Sequence, residues 1–152
     1  MRIGIISDTH GLLRPEAERA LRGVKLIIHA GDVGNPEILD RLRRIAPVFA
    51  VRGNVDSDPW AQELPTATVV EAEGASFYVL HNLRELDLKS EAGNLDFVVS
   101  GHTHHPAQEE RNGVVYLNPG SAGPRRFNLP VTLAIIDLAK RPWKAEIVEL
   151  LH

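Results

Sequence analysis

Seven side chains able to hold a metal ion recur along this chain: Asp8, His10, Asp32, Asn54, His81, His102 and His104. Each stands just beyond a short apolar run. The densest stretch is Ser100-Gly101-His102-Thr103-His104-His105-Pro106. If the backbone is extended there, His102 and His104 project to the same side. Histidine is the commonest metal ligand among side chains. A lone pair of this spacing is more often a solvated loop, so the weight lies in its repetition at other strand ends. A mixed nitrogen and oxygen set of this size exceeds one ordinary site with water positions left open. It suits two divalent ions sharing a carboxylate. The chain has no cysteine, so thiolate ligation is excluded. Mn²⁺ fits best, with Fe²⁺, Zn²⁺ or Ni²⁺ as alternatives, and Mg²⁺ suits so many imidazoles less well.

These residues need strands to deliver them. Residues 2–6, 24–29, 48–51, 76–80 and 95–99 read as strands, mostly buried, and each runs into one of the polar positions. Between the first three, 15–22 reads as a short helix opened by Pro15. A second helix is capped by Asn35, with Pro36 at its first position and Ile38, Leu39, Leu42 and Ile45 on one face. Continuous apolar strands alternating with helices imply a mainly parallel sheet. The second half reads as hairpins. Residues 66–73 pair with 76–80 about Gly74, 108–111 with 114–117 about Asn112-Gly113, and 132–138 with 143–151. Residues 56–65 read as a loop, and 85–92 as a short polar helix closed by Gly93. The expectation is one α/β domain spanning 1–152, with two packed sheets and helices outside. Ligand sites in such folds lie beyond the carboxyl ends of the strands.

Composition narrows the function. The chain of 152 residues has a formal net charge of −3, and no basic stripe is evident. Broad electrostatic binding of nucleic acid is therefore not expected. No apolar run approaches the ~18 residues of a membrane span. The opening Met1 to Ile6 is too short for a signal-peptide core. The expected location is the cytoplasm.

Asp8-x-His10, Gly31-Asp32, Gly53-Asn54, His81 and Gly101-His102-x-His104, in this order, resemble the calcineurin-like metallophosphoesterase superfamily. The small size, Ser7-Asp8-Thr9-His10-Gly11 and Asn118-Pro119-Gly120-Ser121 resemble its compact prokaryotic phosphodiesterase branch. The resemblance implies a four-layer α/β/β/α sandwich of two mixed sheets flanked by helices. It implies that Asp8, His10, Asp32 and His104 hold one metal. Asp32, Asn54, His81 and His102 would hold the other, with Asp32 bridging. The implied activity is hydrolysis of a small-molecule phosphate ester, foremost a diester, by a hydroxide bridging the two ions. A monoesterase and a non-catalytic protein-binding scaffold are the rival readings. Two departures stand out. Val55 follows Asn54 where many family members carry a histidine, and His81-Asn82-Leu83 replaces a His-Gly-His.

Asp32, Asn54 and His105 are the candidates for direct catalytic roles. With Val55 unable to give a proton, His105 or Asp56 is the alternative acid for the leaving group. His29, inside an apolar strand, reads as a core or supporting histidine. Arg52 is a better candidate for the site than Arg125 and Arg126, which could hold a phosphate through a planar donor fork but read better as a solvated loop. Asn118 to Ser121 read as a buttress of the ligand loops. Trp60 and Trp143 suit packing or contacts between copies in a homo-oligomer. His152, at the terminus, is expected to have no role.

Overall fold

The computed structural model describes residues 1–87 and 94–151. Two five-stranded sheets carry the architecture. The first is ordered β10-β9-β1-β2-β3, from β1 (Arg2–Ile6), β2 (Leu26–His29), β3 (Val48–Ala50), β9 (Thr132–Asp137) and β10 (Ala145–Glu149). The second is ordered β4-β5-β6-β8-β7, from β4 (Ala67–Ala72), β5 (Ala75–Leu80), β6 (Phe97–Val99), β7 (Ala107–Arg111) and β8 (Val114–Asn118).

Each sheet contains a parallel trio. In the first, Ile6, His29 and Ala50 share a register across β1, β2 and β3. In the second, Val79, Val99 and Leu117 do so across β5, β6 and β8. Strands aligned in this way end together, so the polar residues following them emerge along one edge. The hairpins expected from sequence are present as β4-β5, β7-β8 and β9-β10. Sequence did not reveal where the last one docks. It returns to the first sheet, with β9 antiparallel to β1.

The alternation of β1 shows why the layers stack. Ile3 and Ile5 point between the sheets, where they meet Ile28, Val51, Phe77, Phe97 and Leu117. Phe77 and Phe97 stack with ring centroids 4.8 Å apart. Ile6 points outward, into a second core with Leu21 and with Ile38, Leu39 and Leu42. Those last three belong to α2 (Pro36–Arg43), and α1 (Pro15–Ala20) lies beside it, joined by the Arg41–Glu18 ion pair. Asn35 caps α2 through its side chain, which accepts from the Ile38 amide at 3.3 Å.

Two expectations change. The segment 56–65 contains a 3₁₀ helix, Pro59–Glu63, because Pro59 presets the backbone angle of a first turn. The polar helix expected over 85–92 falls largely outside the described residues. Before it the chain makes one 3₁₀ turn, Leu83–Glu85, opened by Asn82. Among the described residues no helix is long and apolar enough to cross a membrane.

Candidate metal centre

The loops after the strands extend the parallel ladder instead of fraying. Asp8, His10 and Gly11 amides donate to the carbonyls of Gly31, Asp32 and Val33 at 3.0, 2.9 and 2.8 Å. In the other sheet, the Gly101 amide donates to the His81 carbonyl at 2.9 Å. The ligand loops are therefore held as tightly as strands. Their backbone is also strained. Asp8, His10, Asp32, His102 and His104 all have positive φ, from 47° to 73°. Such backbone is costly for residues with a side chain and concentrates at functional sites. It corrects one expectation. His102 and His104 do not lie on an extended segment, and the turn sends them to different partners.

His104 Nε2 faces His10 Nε2 at 3.3 Å and the Asp8 Oδ1 atom at 3.4 Å. His10 Nε2 is 3.6 Å from both Asp8 Oδ1 and Asp32 Oδ2. His81 Nε2 lies 3.1 Å from Asp32 Oδ2 and 3.8 Å from Asp8 Oδ1. Two groups result, Asp8-His10-His104 and Asp8-Asp32-His81, with ligand atoms in each within 4.8 Å of one another. His102 stands beside the second group, its ring edge-on to His81 at 5.2 Å. Its Nδ1 is 3.2 Å from Asn54 Oδ1. The structure thus brings all seven sequence-derived residues to one place. Asp8 is common to both groups, and Asp32 Oδ2 faces a histidine of each.

The donor set fits cations. His81 Nδ1 is 2.7 Å from the Ala30 carbonyl, which can only accept, so Nδ1 carries the proton. In the neutral ring Nε2 is then a bare lone pair aimed at a carboxylate oxygen. Buried Asp8 Oδ1 and His81 Nε2 have no hydrogen-bond partner. Without a metal, the carboxylates and imidazoles offset each other's charge through protons. Burial alone would raise the Asp8 carboxyl, but His10 and His104 with His81 outweigh it and hold it well below the usual range. Burial opposes charge on His81 too, yet Asp32 and Asp8 raise its pKa above the ordinary value, and Asp8 chiefly raises that of His10. Two buried carboxylates shared by several imidazoles form a site made for positive charge.

Behind the ligands lies a supporting layer that sequence reading only partly found. His29 is fully buried. Its Nδ1 accepts from the Gly31 amide at 3.1 Å, and its Nε2 lies 3.1 Å from Thr9 Oγ1, which donates to the Val33 carbonyl at 2.7 Å. The chain of bonds ties the Asp8 loop to the Asp32 loop, and burial holds the imidazole down to about 4. Asp56 does the same for the loops after β2 and β3. Its carboxylate accepts from the amides of Val33, Gly34 and Gly53 at 3.1, 3.0 and 3.0 Å. Buried and fully engaged, Asp56 cannot reach a leaving group, which removes it as the alternative acid. Asn118 buttresses the third loop, donating to the Gly101 carbonyl at 2.9 Å, while Ser121 donates to the Asp8 carbonyl at 3.0 Å. Glycine is needed at two contacts. A Cβ on Gly53 would strike the Asp32 carboxylate, and one on Gly101 would strike Ser7 Oγ.

The remaining candidates divide. His105 is exposed, and it shares with His102 a cleft of about 590 Å³. Arg126 lines the same cleft. Arg52 is bonded to Gln62 at 2.7 Å and borders a smaller cavity with Asn54 and His81. Val55 uses its amide, which donates to Asp32 Oδ1 at 3.0 Å, and leaves its side chain exposed. Trp60 and Trp143 pack against the two cores. His152 lies outside the described residues.

His29→Leu would leave the Gly31 amide without an acceptor and break the link to Thr9. The expected cost in chemical denaturation is about 2–4 kcal/mol, since buried groups left unsatisfied each cost about 1–3 kcal/mol. An unchanged midpoint would show that the link carries no strain-bearing role.

Comparison with known proteins finds phosphoesterases and, among solved structures, Vps29 proteins that share the fold at low identity, such as that of Chaetomium thermophilum, 21% identical with a TM-score of 0.78 over 97% of each chain. Residues 1–141 match the family model of the calcineurin-like phosphoesterase superfamily domain. A protein of Methanothermobacter thermautotrophicus described as a probable metallophosphoesterase is 39% identical, over 97% of this chain and 92% of its own. The phosphodiesterase YfcE of Escherichia coli is 30% identical, over 90% of this chain and 88% of its own. Among solved structures, an archaeal phosphodiesterase superposes with a TM-score of 0.78 at 26% identity, covering 97% of this chain and all (100%) of that one.

Proposed function

The chain belongs to the calcineurin-like phosphoesterase superfamily, and from that membership we propose that it is a phosphodiesterase acting through two divalent metal ions. The observation that carries the dinuclear reading is the pair of adjoining ligand groups, with Asp32 Oδ2 facing a histidine of each and the unpartnered Asp8 Oδ1 and His81 Nε2 between them. Asp8, His10, Asp32 and His104 would hold one ion, and Asp32, Asn54, His81 and His102 the other. Mn²⁺ suits this donor set best, with Fe²⁺, Zn²⁺ and Ni²⁺ also accommodated. Bound there, two such ions supply charge for the phosphoryl oxygens and a nucleophile from water near neutral pH.

The chain's own residues set the rest. Val55 keeps the Asp32 carboxylate oriented through its amide. The Ala30 carbonyl fixes the His81 tautomer through Nδ1. Asn54 Oδ1 and His102 Nδ1 stand at the outer edge of the centre, 3.2 Å apart, where a substrate phosphate enters. His105, in the cleft beside them, meets the substrate arm.

The test is turnover of phosphate diesters of graded leaving-group acidity, with Mn²⁺ and after chelation. Chelation is expected to abolish turnover. The Val55 side chain is exposed and can donate no proton, so rates should depend steeply on leaving-group acidity. General acid catalysis is typically worth ~10²–10⁴-fold, and poor leaving groups miss it most. Val55→His is expected to raise turnover of alkyl diesters more than aryl ones. A shallow native dependence that steepens in His105→Ala would assign the acid to His105 instead. Equal rates with and without chelator would remove the metal mechanism.

A further inference from the structure

The cleft beside the metal centre offers more positive charge than a single phosphodiester needs. It runs from His102 and His105 past Tyr116 to Arg84, Arg111 and Arg126. The three arginines come from separate places: the turn after β5, the end of β7 and the β8–β9 connection. Arg111 is answered by Glu109 at 2.9 Å, and its guanidinium lies 5.0 Å from the centre of the Tyr116 ring. Arg84 and Arg126 have no ion pair among the described residues. Both are exposed. In a chain of net charge −3, this is a local surplus on a surface that leads to the ligands.

A diester phosphate carries one negative charge, which two divalent ions set beside Asp8 and Asp32 would match. That charge gives no reason for arginines along a cleft of about 590 Å³, which is the size of an ordinary small-molecule pocket. A guanidinium offers a planar fork that pairs with two phosphate oxygens at once. We infer that the cleft receives a substrate arm bearing a second phosphate, held by Arg84 and Arg126. The substrate is then a phosphodiester of a phosphorylated alcohol or sugar, not a diester with uncharged arms. Tyr116, half-buried and backed by Arg111, gives the arm an apolar face to lie on. This rests on the phosphodiesterase reading above and specifies its substrate class.

The test compares two p-nitrophenyl esters of one nucleoside monophosphate, without and with a second phosphate on the sugar. The leaving group is the same, so the ratio of their kcat/KM values reports only the arm. With Mn²⁺ present the second phosphate should raise kcat/KM about tenfold or more, as one or two charge-assisted hydrogen bonds would. In the Arg84→Gln, Arg126→Gln double variant the ratio should fall to near one. Arg43→Gln, on α2, should keep it. Calorimetry on the loaded protein gives a second readout, with a sugar bisphosphate expected to bind about tenfold tighter than the monophosphate, through the same two arginines. A ratio near one in the native protein, or one that survives in the double variant, would overturn the inference while hydrolysis of the simpler ester leaves the phosphodiesterase reading standing. No turnover of either ester would overturn that reading instead. The calorimetric comparison then decides the cleft by itself, and equal affinities would overturn it.

Discussion

Asp8→Asn is expected to lower kcat/KM toward an aryl phosphodiester by more than about a hundredfold at saturating Mn²⁺, because even outer partners of metal ligands are worth about 10–100-fold. Asp8 Oδ1 lies within 3.4 to 3.8 Å of nitrogens on three histidines, and it belongs to both ligand groups. The amide removes the negative charge and places either a weaker oxygen or an NH₂ at that point. It changes little else. Asp8 Oδ2 accepts from Ser7 Oγ at 2.8 Å and from the His102 amide at 3.1 Å, and the amide oxygen can accept both. The loss should therefore appear in metal affinity and turnover, with the circular dichroism spectrum unchanged. Asp32→Asn is expected to behave alike, since Asp32 Oδ2 faces His10 and His81 together. His104→Ala should weaken chiefly one ion. If Asp8→Asn kept turnover within a few-fold of the native protein, Asp8 would not be a ligand.

The second large effect is on stability. Without metal the fold must hold two buried carboxylates beneath a cluster of imidazoles. An ion that binds only the folded state stabilises it by about 4 kcal/mol at a thousandfold excess over its dissociation constant. Mn²⁺ should therefore raise the melting temperature clearly, and chelation should reverse the rise. The sign of its pH dependence follows from the protons that compete. In the metal-free protein the His10 and His81 pKa values are raised. Both rings must lose a proton to bind, so the metal-induced rise should shrink as pH falls through and below those raised values, and be largest above them. A melting temperature indifferent to metal at mildly alkaline pH would favour a scaffold that merely shares the fold.

Much of this was legible in the chain because the ligands sit at the ends of apolar strands. Asp8, Asp32 and Asn54 follow short apolar runs that sequence pattern finds. The register that aligns Ile6, His29 and Ala50 then does the convergence. What sequence missed depends on contacts between distant loops. Asp56 looks like any loop acid next to a candidate site, and only the fold shows its carboxylate accepting three amides. Thr9 lies unnoticed between two ligands, yet it completes the link to His29. The left-handed backbone at His102 and His104 was hidden as well. Side chains rarely occupy that region, and nothing in the local residue types except neighbouring Gly101 hints at it. The same holds for the cleft arginines: Arg126 reads better as part of a solvated loop and Arg84 draws no notice, until the fold sets both along one cleft.

The central claim is that two metal ions, held by these residues, make the catalyst. Its most direct test is titration of the metal-stripped protein with Mn²⁺, following bound metal by elemental analysis and hydrolysis of an aryl phosphodiester in the same samples. The account predicts saturation at two equivalents per chain, with most of the activity appearing as the second is filled. Full activity at one equivalent, or hydrolysis in the stripped protein, would contradict it.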